Sequence, residues 1–343
     1  MPNISKPSDI NNVWAATGDI VAPSSDYVQN GWEAIIPPRE YFNWLDNRQD
    51  RFNAHVNQHG IPVWDATTEY QANLSYTKGS DGLIYKALKV NSNVDPVSDT
   101  TGAWMLYASR GALLRTTIYT RSGSTQLVSV DGSTPGITGA GTFTPLPYSR
   151  IMRVKVQGAG GGGGGSATTD SDTLSASGGG GAGAYGEGYF NPVQRTVIVG
   201  GGGAGGAANS SAFAGTGGTS SVTGLISAPG GIGGQSQPSS ATRAGVYGGT
   251  NNSSQPSGAN LLSQRGGGGV YGLQMAGLSP TQVGGKGGAS YFGEGAQGPD
   301  VTGPGRLGAN YGSGGSGAAS TINSAGQIGG AGAAGIIIIE EYA

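Results

Sequence analysis

Gly158-Ala159-Gly160-Gly161-Gly162-Gly163-Gly164-Gly165 opens a glycine field that runs to about Gly335. Glycine runs return at Gly178–Gly181, Gly200–Gly203, Gly266–Gly269 and Gly284-Gly285, and 57 of the chain's 69 glycines lie after residue 150. Glycine loses more backbone freedom on folding than any other residue. Such a field therefore either stays disordered or adopts a backbone arrangement that only glycine permits.

Three features argue for order. Strong strand patterns frame the field: Ile151-Met152-Arg153-Val154-Lys155-Val156 before it and Ile336-Ile337-Ile338-Ile339-Glu340-Glu341-Tyr342 at its end. Tyr189-Phe190 and Thr196-Val197-Ile198-Val199 supply further strands around a Pro192 turn. The glycines also fall in short runs separated by non-repeating loops, a segmentation that a flexible linker does not need. Collagen needs glycine strictly every third residue with abundant proline, and Gly160–Gly165 breaks that period. The remaining option is polyglycine II, an extended left-handed helix with three residues per turn. Without side chains such helices lie close enough for each N–H to bond a neighbour's carbonyl, so buried backbone groups are paired. Alanine and serine are then expected on outer helices, with loops emerging from both ends of a stiff bundle.

Composition narrows the function classes. The net charge of −2 gives no electrostatic footprint for nucleic acid. The absence of cysteine excludes disulfides and thiolate metal sites. The N-terminal stretch lacks a signal peptide's apolar core, and no apolar run approaches the roughly 20 residues of a membrane span, so a soluble protein is expected.

All five tryptophans (Trp14, Trp32, Trp44, Trp64, Trp104) and both histidines precede residue 105, which marks the first third as ordinary globular protein. Residues 1–36 read as extended or looped, with Trp14 and Trp32 as burial anchors. A helix is expected over about 39–57, entered through Pro37-Pro38 and ended by Gly60. Tyr41, Leu45, Phe52 and Val56 form its apolar stripe, with Gln49 in the gap. Two partners suit that stripe: the Trp14/Trp32 segment, or copies of the same helix around a symmetry axis. His55 and His59 stand one turn apart, as in a two-histidine metal pair. No third ligand is near in sequence, and a solvated pair at a helix C-terminus is the plainer reading.

Residues 61–108 read as a small three-stranded sheet with a turn at Gly79-Ser80-Asp81-Gly82. The spacing Trp64…Tyr85-Lys86-Ala87…Trp104 resembles small carbohydrate-binding modules of the chitin-binding type, although Ala72-Asn73 stands where that family shows Gly-Asp. The resemblance implies that Trp64, Tyr85 and Trp104 stack on sugar rings; the same rings also suffice as the core of so small a domain. Residues 109–150 read as a connecting β region, with strands at Leu113–Tyr119 and Gln126–Val130 and loops at Gly132–Gly141 and Pro145-Leu146-Pro147.

Glycine runs alternating with variable loops resemble the distal adhesins of T-even-type bacteriophages. The block from Arg153-Val154-Lys155-Val156-Gln157-Gly158-Ala159-Gly160 to Gly335-Ile336-Ile337-Ile338-Ile339-Glu340-Glu341-Tyr342 is similar to the glycine-rich C-terminal domain of many phage tail proteins. Gly31-Trp32 and Pro37-Pro38-Arg39-Glu40-Tyr41-Phe42-Asn43-Trp44-Leu45 are similar to the tail-attaching head of phage tail fibre proteins. The resemblance implies a homotrimer in the virion, at the distal tail. Residues 1–60 would then attach to other tail or baseplate proteins, and 151–343 would form a receptor-binding tip. The bacterial surface receptor would be a polysaccharide or an outer-membrane or pilus protein. The loops expected to bind it carry the larger residues: Tyr247, Asn251, Asn252, Leu261, Leu262, Tyr271, Met275, Tyr291, Phe292 and Tyr311. Each could instead be a wedge between loop and bundle.

Other chemistry has weaker signals. Gly284-Gly285-Lys286-Gly287 lacks the Ser or Thr of a phosphate loop, and Arg265-Gly266-Gly267 is a single unit, not an RNA-binding tract. A depolymerase needs paired carboxylates, whereas the acids after residue 150 (Asp170, Asp172, Glu187, Glu294, Asp300, Glu340, Glu341) are few and scattered. A silk-like role would need near-identical repeats. The expectation is therefore a mainly β and irregular fold that binds without catalysis, cofactor or metal. The alternative keeps tail attachment, makes 61–108 the polysaccharide binder, and leaves the glycine field as a spacer.

Overall fold

Pro38 caps the N-terminus of the helix Arg39–His59, and Gly60 ends it at φ 74°, its N–H bonding the Val56 carbonyl. A second, six-residue helix, Ser25–Asn30, falls in the segment expected to be irregular; Gly31 closes it at φ 79°. The computed structural model describes residues 12–32, 36–107, 111–137, 141–241, 244–246, 255–275 and 280–343. The chain divides into two units, Met1–Ser109 and Arg110–Ala343, and beyond these two helices the described regular structure is strand.

In the first unit, polar groups fasten one helix face to the preceding segment. Asn47 donates to the Trp14 carbonyl, and Asp50 and Asn43 accept from the Trp14 backbone and indole. Trp32 stacks on Tyr41 with ring centroids 5.7 Å apart. Trp14 itself is 58% exposed, so hydrogen bonds rather than burial anchor it. The expected three-stranded sheet forms from Tyr76–Lys78, Ile84–Ala87 and Trp104–Leu106, all antiparallel. Its core is Tyr70, Tyr85, Ala87, Ala103 and Trp104.

The second unit roots the glycine field in a two-sheet sandwich. Seven strands lie in the order Leu262–Gln264, Tyr185–Phe190, Ile151–Gln157, Ile336–Tyr342, Leu113–Ser122, Thr125–Val130, Gly136–Ile137. The four-stranded sheet orders Ile226–Ala228, Ser220–Val222, Arg195–Ile198, Gly141–Phe143. Alternation sets the faces: Met152, Val154, Val156, Ile337 and Ile339 meet Phe143, Val197, Val222 and Ile226 in the core. Ile337, Ile338 and Ile339 thus pair on both sides, between Ile151–Gln157 and Leu113–Ser122, and Ile336 pairs with Gln157. Residues 109–150 supply strands to this sandwich. Gly136–Ile137 is a strand within 132–141, where a loop was expected, and Gly141–Phe143 forms a strand from the last residue of that stretch, with Phe143 filling the core. The buried Gln126 amide bonds Val197 O and Val199 N–H and so fastens one sheet to the other.

Strands continue directly into glycine runs. The run 158–166 leaves the Ile151–Gln157 strand and donates in a three-residue rhythm. Gly160, Gly163 and Ser166 bond Ala333, Gly330 and Gln327; Gly158, Gly161 and Gly164 bond Ala184, Gly181 and Gly178; Ala159 and Gly162 bond Gly218 and Gly215. These bonds measure 2.8–3.1 Å. It accepts with the same rhythm from Gly203, Gly206 and Asn209, from Gly231, Gly234 and Gln237, and from Gly315 and Ala318. Six runs therefore surround it, the arrangement of packed three-residue-per-turn helices.

The spacing explains the composition. A Cβ on Gly160 would lie 1.9 Å from Ser313 O, on Gly161 2.3 Å from Ile232 O, and on Gly162 2.1 Å from Ala204 O. No side chain fits at such approach. Alanine and serine are nevertheless not confined to outer helices: Ala159, Ser177, Ala182, Ser313 and Ser316 are buried inside the bundle. The serines add bonds there, Ser177 Oγ donating to Gly165 O and Ser316 Oγ accepting from Arg306 N–H.

Candidate functional site

The directions of the runs decide which loops share an end. Residues 158–166, 200–209, 231–237 and 312–318 pair in parallel register and lead away from the sandwich, whereas 178–184, 215–218 and 327–335 pair antiparallel to them and return. The same register sends 267–270 outward and 285–288 and 303–308 back. The loops at 167–176, 207–213, 299–303 and 319–326 and the described residues 271–275 and 280–283 therefore crown the distal end, and the loops at 289–294 and 309–311 lie at the root, beside the sandwich.

The distal loops are knitted into one surface by short polar side chains. Asn209 Oδ1 accepts from Thr168 N–H at 2.6 Å, and Thr169 Oγ1 donates to the Thr321 carbonyl. Thr302 and Thr321 share a hydroxyl bond of 2.7 Å. Gln274, fully buried, accepts from Ala176 N–H, and Gln282 Nε2 donates to Asp300 O. Asp170 accepts from Thr173 Oγ1 and Asp172 N–H, bonds that hold its carboxyl below the usual carboxylate range. Above this hydroxyl- and amide-bonded base stand exposed apolar side chains: Phe213, Tyr271, Leu273, Met275, Val301 and Ile322. Tyr271, Leu273 and Met275 line one face of the hairpin Gly272–Met275/Thr281–Val283, whose opposite face buries Gln274 and Gln282.

The residues singled out from sequence divide between the two ends. Tyr271 and Met275 are distal. Leu261 and Leu262 lie at the edge of the seven-stranded sheet, both exposed. Tyr291, Phe292 and Tyr311 are at the root, gathered around the buried Tyr185. Tyr247, Asn251 and Asn252 lie outside the described residues. Phe213, Leu273, Val301 and Ile322 were not anticipated. The alternation Tyr271-Leu273-Met275 carried a signal for Leu273, and Phe213 is a lone aromatic in a Ser/Ala loop.

In the first unit, Tyr85 and Trp104 are 5% and 4% exposed, and their polar atoms are spent on Asp81 Oδ2 and Val94 O. With half-buried Trp64 packed beside them they form the domain's core, which leaves Tyr85 and Trp104 no open face for a sugar ring. The exposed rings of that sheet are Tyr76 and Tyr107, edge to face at 4.8 Å, with Lys86 over Tyr76. His55 Nε2 accepts from Val63 N–H. Among the described residues no third histidine or carboxylate joins His55 and His59 in a metal-binding group.

The four glutamates of the glycine-rich unit are committed to ion pairs: Glu187 with Arg153, Glu294 with Lys286, Glu340 with Lys155, and Glu341 with Arg115. Burial raises the Glu340 carboxyl, but hydrogen bonds from Lys155 and Tyr342 outweigh it and leave the group below its ordinary value. No described helix is long and apolar enough to cross a membrane.

A family model described as a glycine-rich domain matches residues 137–342, well over half of the chain. No curated protein matches the chain.

Proposed function

The chain belongs to the glycine-rich domain family, and from that premise we propose that it is a phage tail-fibre or tail-tip protein that holds a bacterial surface receptor noncovalently. One observation carries this reading: the up-and-down bundle gathers non-repeating loops at the end opposite the sandwich, on a base of close-packed backbone. Side chains held on a stiff support lose little entropy on binding, and Phe213, Tyr271, Leu273 and Met275 are the apolar anchors such a surface needs.

The first unit supports attachment and trimerisation. Phe42, Leu45, Gln49, Phe52, Val56 and His59 fall at alternating spacings of three and four residues along Arg39–His59, the heptad pattern of a coiled-coil seam. Phe42 and Phe52 are 47% and 58% exposed, while Asn43, Asn47 and Asp50 hold the helix to its own N-terminal segment. The face that is not bonded to that segment is the one this reading assigns to copies of the same helix.

Adsorption of the full chain to host cells tests the proposal. The double variant Phe213→Ser/Leu273→Ser is expected to lose adsorption and infection blocking while its melting curve is retained. Unchanged adsorption would sink the distal-loop reading. Clearing of capsule or lipopolysaccharide would move the protein to the depolymerase class.

The second reading places binding of cell-surface polysaccharide in residues 61–108 and rests on the exposed Tyr76/Tyr107 pair. It expects Tyr76→Ala/Tyr107→Ala, rather than the distal variant, to abolish adsorption.

A further inference from the structure

Tyr185 is the first residue of its strand, where the returning run 178–184 enters the sandwich. Its ring is 2% exposed and stacks on Tyr291 with centroids 3.9 Å apart and planes 3° from parallel. Below, the Tyr185 hydroxyl donates to Glu187 Oε2 at 2.7 Å, and Glu187 is ion-paired with Arg153. Burial, followed by the bond to Glu187, pushes the Tyr185 phenol up, so it remains a protonated donor. The lower ring is thereby fixed in place.

Tyr291 is different. One face lies on Tyr185 and Phe292 meets it edge-on at 5.5 Å, yet the residue is 49% exposed. Because Tyr185 covers one face, the open area of the ring is assigned to the side away from it. Its loop is held at both ends: Ser290 and Gly293 exchange backbone bonds, and Asn310 Nδ2 donates to Glu294 O. Gly293 sits at φ 149°, and a Cβ there would lie 2.6 Å from Asn310 Nδ2, so the turn is closely packed. Tyr311, 41% exposed, stands edge-on to Phe292 at 6.4 Å. On the same loop and the run before it, Glu294 and Lys286 form an ion pair whose side chains are 75% and 37% exposed.

Tyr291 thus covers Tyr185 while leaving part of its own ring open on a loop that is held in place. We propose that Tyr291 is the stacking platform of a glycan-binding site at the root of the bundle. The apolar C–H face of a pyranose lies on its open face, and the Glu294 and Lys286 side chains bond the ring hydroxyls. The chemistry favours an uncharged sugar, because the ionic groups on the loop neutralise each other and a rigid flat ring loses little entropy on contact. The site lies at the opposite end of the bundle from the distal loops and does not depend on them.

The test is saturation-transfer NMR and calorimetry on the full chain with maltohexaose, cellohexaose and chitohexaose. At least one of the three is expected to bind at millimolar concentration. Tyr291→Ala should weaken it about five- to ten-fold, the scale of one aromatic contact. Tyr291→Phe keeps the platform and should stay within about two-fold on the same argument. Leu83→Ser, at an exposed residue placed in no binding surface, should leave binding unchanged. No binding of any of the three sugars overturns the proposal. So does binding that survives Tyr291→Ala, or that is lost in Leu83→Ser. Tyr291→Ala abolishing adsorption to cells stripped of surface polysaccharide would make this face protein-binding and would also overturn it. Failure here leaves the distal-loop reading standing, since that reading is scored by adsorption of the distal variant.

Discussion

The Gly163 amide donates to the Gly330 carbonyl across 2.8 Å, and the side of Gly163 that would carry a Cβ faces Ser316 O at 2.0 Å. Glycine here is a matter of approach distance, since a methyl group at that spacing would sit inside another backbone. Gly163→Ala is expected to destabilise the second unit by about 3 kcal/mol or more, the upper range for overpacking. Gly136→Ala, where a Cβ meets nothing within 4 Å, should be neutral or slightly stabilising. Calorimetric scans of the two full-length variants compare them directly.

The three-residue rhythm yields a prediction about length. Inserting one glycine after Gly163 turns every later N–H of that run by a third of a turn, away from its partner. Inserting three restores the azimuth and lengthens the run by about 9 Å. The single insertion is therefore expected to lower the melting temperature more than the triple one. Equal losses would show that the rhythm does not govern the packing.

Glu341 is fully buried on the inward face of the last strand, held by Arg115 and by the Leu146 N–H. Arg115→Ala leaves that carboxylate without its cation and should cost about 3–5 kcal/mol. Adding Glu341→Gln should recover part of the loss in denaturant titrations. A double variant no better than the single one would mean that Arg115 acts through its packing over Phe143.

Asp65 has its carboxyl lowered from 3.8 to about 2, chiefly by hydrogen bonds from the Thr67 and Thr68 hydroxyls, with their N–H groups adding to the effect. A folded value below the unfolded one stabilises the 61–108 module above pH 3.8, and this contribution is lost as pH falls through about 2. Thr67→Val/Thr68→Val should return the Asp65 titration, followed by carboxyl NMR, toward 3.8. It should also flatten the module's loss of stability over that interval.

Loop residues on the distal end should separate binding from stability. Phe213, Leu273 and Val301 are 57–63% exposed, so each change to serine should shift stability by less than about 0.5 kcal/mol. Measured singly in the full chain, such variants are expected to reduce adsorption to host cells. A large stability change in any one would assign that side chain to packing.

Much of the fold was legible as pattern. Period-two alternation in Ile151–Gln157, the aliphatic run at Ile336 and the punctuation of Arg39–His59 each mark an element by where side chains must point. The site was legible only in part. Tyr271 and Tyr291 are alike in the chain, a tyrosine after a glycine-rich run, but the direction of that run sends one to the distal end and the other to the root. Phe143 lay between the stretches read as loops, 132–141 and 145–147, and three strand residues are too few to show alternation.

The sequence by itself determined that the glycine field is built for backbone contact, because it removed side chains in short runs and framed them with strands. It also determined where loops interrupt those runs. Only the tertiary structure decided which run lies beside which, since glycine carries no side chain to tell Gly330 from Gly215 or Gly181 as a partner for the central run. That choice falls to the sandwich, where Val154 meets Ile339 on one side and Gly188 on the other and side chains fix the register. The bundle inherits its order from those strands, and the order sets which loops share a face.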